Sequence, residues 1–308
     1  MALTLPAPPA VKPASEPLLP VDFLLLAYLT VVSTVAALRA QHSPGWGWLL
    51  VAHALFVILL FLVTRPGLGP VGRTLREIYP LLLLPGLYSE LDILNSGAVS
   101  VHDAAVQRWE VLLFGSQISQ EWWRSAPSRA WSTVFHAAYL SYYLIVSVPP
   151  LYFAWRGDFQ AVRRFVLVVV ATFVFCYLVF IFFPVAGPYY EFSRPDAWFT
   201  DNLPARLAYD ALATGSSYGA AFPSSHVAAA VAATIAAGRS SWRLGLLLVI
   251  PTVLLTLGVV YCQMHYGVDA LGGLVMGVLA TFLVGQRRKK SVSGKANSVS
   301  GKSQQRER

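Results

Sequence analysis

Residues 165–184 read FVLVVVATFVFCYLVFIFFP, a run without a single charged side chain. A run of this length and polarity can cross the hydrocarbon core of a bilayer as a helix. Similar runs occur at 21–38, 46–64, 133–153, 221–238, 244–262 and 266–285. A further run, 79–97, contains Pro85, Glu90 and Asp92, and predicts a weaker span that is broken or partly re-entrant. The pattern predicts an all-α, polytopic membrane helical bundle with about eight apolar segments.

The composition supports this fold class. The chain of 308 residues is 56% hydrophobic and 12% charged, and its mean hydropathy is +0.57, which is unusual for a soluble domain. A net charge of +8 would suggest nucleic acid in a soluble protein, but in a membrane protein Lys and Arg mark cytoplasmic loops. We therefore predict the lipid bilayer, and no nucleic acid, as a partner. Cys176 and Cys262 lie in apolar runs without metal-ligand spacing.

The distribution of positive charge predicts the orientation in the membrane. If both termini are cytoplasmic, 17 of the 23 Lys and Arg residues lie inside and 6 lie outside. Two long stretches then face the extracytoplasmic side. Residues 98–132 predict an amphipathic interfacial helix with a stripe of Val106, Trp109 and Leu113, and residues 185–220 predict a long binding or lid segment.

Two histidines open apolar segments on that same predicted side, where ionisable groups are costly and tend to be functional. His226 follows Ser224 and Ser225, which are good helix caps. The free N–H groups of a helix N-terminus attract anions, so this turn is able to hold a phosphate beside a proton-transferring histidine. The alternative is an ordinary helix cap with an interfacial histidine.

The second histidine, His265, lies four residues before Asp269, so the two share one face of a helix. A carboxylate at one imidazole nitrogen fixes the tautomer and leaves the other nitrogen as a nucleophile. A structural His–Asp pair is the alternative. A metal site would need more clustered ligands than these, and we predict neither a metal nor a cofactor.

These residues resemble a known family. Phe222-Pro223-Ser224-Ser225-His226 and His265-x-x-x-Asp269 are similar to the second and third signature motifs of the type-2 phosphatidic acid phosphatase superfamily. The longer pattern from Met264 to Gly273 most resembles its inositol-phosphorylceramide synthase-like (inositolphosphotransferase) branch. Looser similarity to that branch runs through Asp103–Gly115, Tyr139–Tyr143 and Phe183–Pro188, so the resemblance covers roughly residues 75–285.

The resemblance implies a six-helix phosphatase-type core with extra N-terminal spans. The expected divisions are a disordered lead (1–20), a transmembrane pair with a basic cytoplasmic loop (21–78), a catalytic domain (79–285) and a basic disordered cytoplasmic tail (286–308).

The resemblance also implies metal-independent phosphoryl transfer through a phosphohistidine. His265 would attack phosphorus, Asp269 would orient it, and His226 would protonate the leaving oxygen. The substrate would be a phospholipid or a sphingolipid-type phosphorylated lipid. Water, or a second alcohol such as inositol, would accept the phosphoryl group, so both a lipid phosphatase and a phosphotransferase remain open.

The chain departs from the family pattern where cations are expected. Gly258-Val259 stands where the third motif usually has Ser-Arg, and the first motif, a Lys followed at fixed spacing by Arg-Pro, is missing. Some cation must still neutralise the phosphate. Arg194 and Arg206 are the first candidates, followed by Arg124 and Arg129, although any of them is alternatively a solvated loop charge.

Two non-enzymatic alternatives remain at this stage. In a transporter or channel, the His/Asp cluster would relay protons or bind substrate. A discontinuous helix at 79–97 would favour this alternative, because transporters often bind substrate at such helices. In a membrane scaffold, the same residues would be structural pairs. Mutation of His265 separates both from an enzyme.

Overall fold

A computed structural model describes residues 18–41, 44–65, 67, 69–95 and 99–285. The predicted disordered tail (286–308) and most of the predicted lead (1–17) lie outside the described residues. Within these ranges the chain forms helices and no β-strand, which confirms the all-α fold. The helices are α1 (Pro20–Leu38), α2 (Trp46–Val63), α3 (Gly69–Leu94), α4 (Asp103–Phe114), α5 (Ile118–Ser125), α6 (Arg129–Leu140), α7 (Tyr142–Trp155), α8 (Phe159–Phe182), α9 (Pro188–Glu191), α10 (Ala197–Thr200), α11 (Leu203–Gly215), α12 (Ser225–Ser240), α13 (Trp242–Tyr261) and α14 (Gly267–Val284).

Among the described residues, six helical segments are long and apolar enough to cross a membrane. They are α1, α2, α6 together with α7, α8, α13 and α14. The chain is therefore a multi-pass integral membrane protein. The other two predicted segments form α3, which carries five charged residues, and α12, which has only 16 residues.

The predicted break in residues 79–97 was wrong. Residues up to Leu94 belong to α3, an uninterrupted helix of 26 residues that contains both Pro80 and Pro85. Proline is tolerated in membrane helices where neighbouring helices compensate for the lost hydrogen bond, and α3 packs along α8. Because α3 begins at Gly69, the boundary expected between residues 78 and 79 falls inside it.

Buried pairs of ionisable side chains join the N-terminal helices to the rest of the bundle. The carboxylate of Asp22 in α1 accepts hydrogen bonds from Arg76 and Tyr79 in α3. In α2, His53 Nε2 lies 3.1 Å from Glu90 Oε2 of α3. Ionisable groups in apolar surroundings are stable only when they are paired, so these contacts fix the register of α1 and α2 against α3.

Helices α8 and α12 lie at the centre of the bundle, and α12 packs closely against α14. A Cβ atom added to Gly273 would lie 2.6 Å from the carbonyl oxygen of Ser224, and one on Gly277 would collide with the carbonyl of Ala228. Glycine at both positions lets the two backbones touch, as is common between membrane helices. This close crossing brings the beginning of α14 against the beginning of α12.

Candidate active site

The loop between α13 and α14 positions His265 beside Asp269. His265 Nδ1 lies 3.4 Å from Asp269 Oδ2, and the same oxygen accepts a 2.9 Å hydrogen bond from the backbone N–H of Tyr266. Both side chains are buried. Burial lowers the pKa of His265 to about 4 from its usual 6.5, partly opposed by a hydrogen bond to the backbone of Ala221. The imidazole is therefore neutral near pH 7, with Nδ1 directed at the carboxylate and Nε2 on the other side of the ring.

His226 lies in the first turn of α12, facing the other histidine. The two imidazole rings are 6.2 Å apart between centroids. His226 Nε2 is 3.4 Å from the hydroxyl of Tyr139, and its ring also packs edge-on against Tyr142. Among the described residues, its buried Nδ1 has no hydrogen-bond partner. Two histidines from different segments, one at the start of α12 and one just before α14, thus lie side by side.

The predicted cap of α12 is present. Ser224 Oγ accepts a 3.4 Å hydrogen bond from the backbone N–H of Val227, and the Ser224 N–H donates to the carbonyl of Asp269 at 2.9 Å. The N–H groups of Ser225 and His226 have no hydrogen-bond partner in the part of the chain that the structure describes. Ser224, Ser225, His226, His265 and Asp269 are therefore brought together as one cluster, with two free donors at a helix N-terminus.

Two buried carboxylates on α4 also belong to this cluster. Asp103 accepts hydrogen bonds of 2.8 Å from the backbone of both Ala186 and Gly187, and one of 3.0 Å from the Tyr266 hydroxyl. Glu110 accepts from the backbone N–H of Val268 at 3.1 Å. Burial raises the pKa of Glu110, and the backbone hydrogen bonds that it accepts oppose the shift.

The sequence pattern gave neither carboxylate a role. It correctly predicted a helix here, with Val106, Trp109 and Leu113 as the apolar stripe of an interfacial helix. In the structure Asp103, Val106 and Glu110 are buried, while Leu113 is 62% exposed. The available signal was the spacing of seven residues between the two acids, which corresponds to two helical turns on one face.

The segment before α12 is held in place from α3. The backbone N–H of Tyr218 donates to Asp92 Oδ1 at 2.9 Å, and Ser217 Oγ donates to the carbonyl of Tyr88 at 2.9 Å. The Asn95 side chain donates to the carbonyl of Tyr218 at 3.3 Å. These contacts connect the end of α3 to the residues that lead into His226, so α3 contributes to the position of the candidate acid.

The candidate cations lie around this cluster rather than within it. Arg194 is exposed, donates to the Tyr189 hydroxyl at 2.8 Å and stacks on the Tyr189 ring at 4.3 Å. Arg206 is exposed on α11. Arg129 pairs with Asp201 at 3.0 Å. None of these arginines has a hydrogen bond or ion pair with either histidine or Asp269 among the described contacts.

Arg124 is linked through Gln263 to the loop that carries His265. Gln263 is buried, two residues before His265, and has a positive φ of 55°. Its Oε1 accepts from Trp123 Nε1 at 3.1 Å and from Arg124 at 3.3 Å, and its Nε2 donates to the carbonyl of Ser193 at 2.8 Å. Gln263 therefore connects the His265 loop with Arg124 and with the residue next to Arg194.

A cavity of about 620 Å³ leads away from His226. Its walls come from α3, the α6–α7 segment, α8 and α11, and Ser225 and His226 lie at one end. Separately, the described part of the chain holds no group of three or more His, Cys, Asp and Glu side chains placed to bind a metal ion.

Comparison with protein-family models matches residues 104–283 to the PAP2 superfamily. The chain belongs to the PAP2 superfamily. Membership implies phosphatase-type activity on a phosphorylated lipid within a membrane, because that is the general activity of the superfamily. Searches of curated proteins and of solved structures gave no significant match. Helices α1 to α3 precede the matched residues, so Asp92 and the α3 wall of the cavity lie outside the PAP2 match.

Proposed function

We propose that this PAP2 protein transfers the phosphoryl group of a lipid phosphate through a covalent intermediate on His265. The observation that carries the proposal is the arrangement of His265, Asp269 and His226, with the histidine rings 6.2 Å apart. A neutral imidazole held by a carboxylate at Nδ1 offers Nε2 as a nucleophile, as in other nucleophile–orienter pairs. The unpaired Asp269 Oδ1 and His226 Nδ1 are available for further contacts when substrate binds.

In the first step, His265 Nε2 forms a bond to phosphorus, and the bond between phosphorus and the lipid oxygen breaks. His226 gives its proton to the departing lipid alkoxide, while Asp269 stabilises the positive charge that develops on His265. In the second step, water loses a proton to His226 and attacks phosphorus, which restores His265 and releases phosphate. An alcohol in place of water takes the phosphoryl group and gives a phosphorylated alcohol, which is the transferase form of the proposal.

The phosphate oxygens require donors that are already in place. The free N–H groups of Ser225 and His226 at the start of α12 support a phosphate site there, as does the positive end of the helix dipole. For the remaining charge we propose the arginines of the outer segments, Arg194 and Arg206 or, through the Gln263 link, Arg124. We further propose that the termini are cytoplasmic and that the site faces the extracytoplasmic side.

Product analysis tests this function and separates its two forms. Purified protein in detergent is given a phosphatidic acid or a sphingoid-base phosphate, with and without inositol. A phosphatase releases inorganic phosphate without an added alcohol, whereas a transferase needs the alcohol and yields a phosphorylated one. His265→Asn is expected to reduce either rate by about 10⁴-fold or more, because the nucleophile is lost. Retained turnover in a folded His265→Asn variant would refute the proposal.

A further inference from the structure

The cavity beside His226 changes character along its length. At the end near the histidine it is lined by hydroxyl groups, including those of Tyr88, Tyr139, Tyr142 and Ser225. At the far end, α3 contributes Ile78 and Leu81, and α7 contributes Pro150 and Leu151. A polar mouth with an apolar far end matches a molecule that has a polar headgroup and a hydrocarbon chain.

The depth of the cavity corresponds to one leaflet of a bilayer. Its lining residues on α3 run from Ile78 to Ser89, a distance of about 16 Å along a helix. Half of the hydrocarbon core of a bilayer is about 15 Å thick. The volume of about 620 Å³ falls within the range of sites that enclose one elongated small ligand.

The cavity has a lateral gap in its wall, between α3 and α7. Helices α3 and α7 both pack against α8 but have little or no contact with each other. The apolar edges of this gap are exposed: Leu82 on α3 is 63% exposed and Leu151 on α7 is 53% exposed. In a membrane protein such surfaces face lipid tails, so a chain is able to enter the gap without leaving the bilayer.

We infer that this cavity binds a single hydrocarbon chain of the phosphorylated lipid, and that its apolar end sets the longest chain accepted. The inference rests on the proposed function, because the catalytic histidine at the polar end is what makes the occupant a phosphorylated lipid. A chain that already lies in the bilayer gains little from moving into another apolar environment. Selectivity therefore depends on fit: a chain longer than the cavity overfills it.

The test is a chain-length profile measured with single-chain alkyl phosphates, from butyl to octadecyl, in detergent micelles. Leu81→Trp fills the deep end, and Val146→Trp fills the middle of the α7 wall. We expect the ratio of kcat/KM for hexadecyl phosphate to that for butyl phosphate to fall about tenfold to a hundredfold in Leu81→Trp, the equivalent of a typical overpacking cost. Val146→Trp is expected to shift the limit to shorter chains still.

Leu144→Trp is the matched control, since Leu144 lies on α7, is 62% exposed and does not line the cavity. It is expected to keep the wild-type profile. Leu81→Ala is the opposite change, and it is expected to raise the ratio of kcat/KM for octadecyl phosphate to that for butyl phosphate. The test therefore does not depend on the folding of the Trp variants. An unchanged profile in Leu81→Ala and in every folded Trp variant would overturn the inference while leaving catalysis intact. If the wild type transferred the phosphoryl group of no alkyl phosphate, either to water or to added inositol, the proposed function would be refuted instead.

Discussion

The helices α12 and α14 both begin beside a histidine of the candidate site, but their first turns are hydrogen-bonded differently. At the start of α14, Glu110 accepts from the Val268 N–H, and Asp269 accepts from the Tyr266 N–H. At the start of α12, a serine cap accepts from Val227, and the N–H groups of Ser225 and His226 are free among the described contacts.

This difference indicates a division of roles. The positive end of α14 already contacts the acidic side chains of Glu110 and Asp269, which hold the His265 loop in place and disfavour an anion there. The positive end of α12 remains available, and it lies at the mouth of the cavity. We therefore expect the phosphate oxygens to bind at α12 and the attacking nitrogen to come from the α14 side.

Of the changes that test this comparison, removal of one free N–H group of α12 should lower kcat/KM the most. Ser225 is the first helical residue, a position that accepts proline because its N–H is not used by the helix. Ser225→Pro deletes one donor to a charged phosphate, a loss of about 1.5–3 kcal/mol. We expect kcat/KM for phosphate monoesters to fall roughly tenfold to a hundredfold.

Ser225→Ala is the matched control, because it removes the hydroxyl and keeps the backbone N–H. It is expected to lose much less activity than the proline variant, with circular dichroism confirming that both retain their helices. Equal losses in the two variants would show that the hydroxyl, rather than the free N–H, contacts the substrate.

Neutralising Glu110, the α4 acid that contacts the start of α14, should lower activity less and should also lower the stability of the protein. Glu110→Gln keeps the shape but removes the charge that stabilises the N-terminus of α14, an interaction worth about 0.3–2 kcal/mol. We expect a lower melting temperature in detergent and a several-fold lower kcat, because His265 and Asp269 are held less firmly. KM should change little. A rise in KM that lowers kcat/KM as much as Ser225→Pro does would place the phosphate at α14 instead.

The sequence predicted the fold class because the apolar runs are long and membrane helices need them. It also predicted the association of His226, His265 and Asp269, because each lies in a motif at a helix end. It misjudged residues 79–97, where Pro85, Glu90 and Asp92 predicted a broken or partly re-entrant span, because packing against α8 supports an uninterrupted helix.

Other parts of the site could not be read from the sequence. The contact of Asp92 with Tyr218 joins residues 126 positions apart, and Gln263 meets Trp123 across 140 positions. Such pairs depend on helix packing and carry no local pattern. The burial of Asp103 and Glu110 was missed for a related reason, since the backbone groups that they accept from, in Ala186, Gly187 and Val268, are distant in the chain.

The covalent step at His265 is tested most directly by trapping it in a His226→Asn variant. Nitrophenyl phosphate has a leaving group that needs no proton, so the first step should proceed without the acid. The second step should stall, because no base remains to activate water, and a phosphoryl group should accumulate on the protein. After an alkaline quench, mass spectrometry is expected to find it on His265, and a His226→Asn/His265→Asn double variant should lack it. Release of nitrophenol by His226→Asn without any phosphorylated His265 would contradict the covalent mechanism.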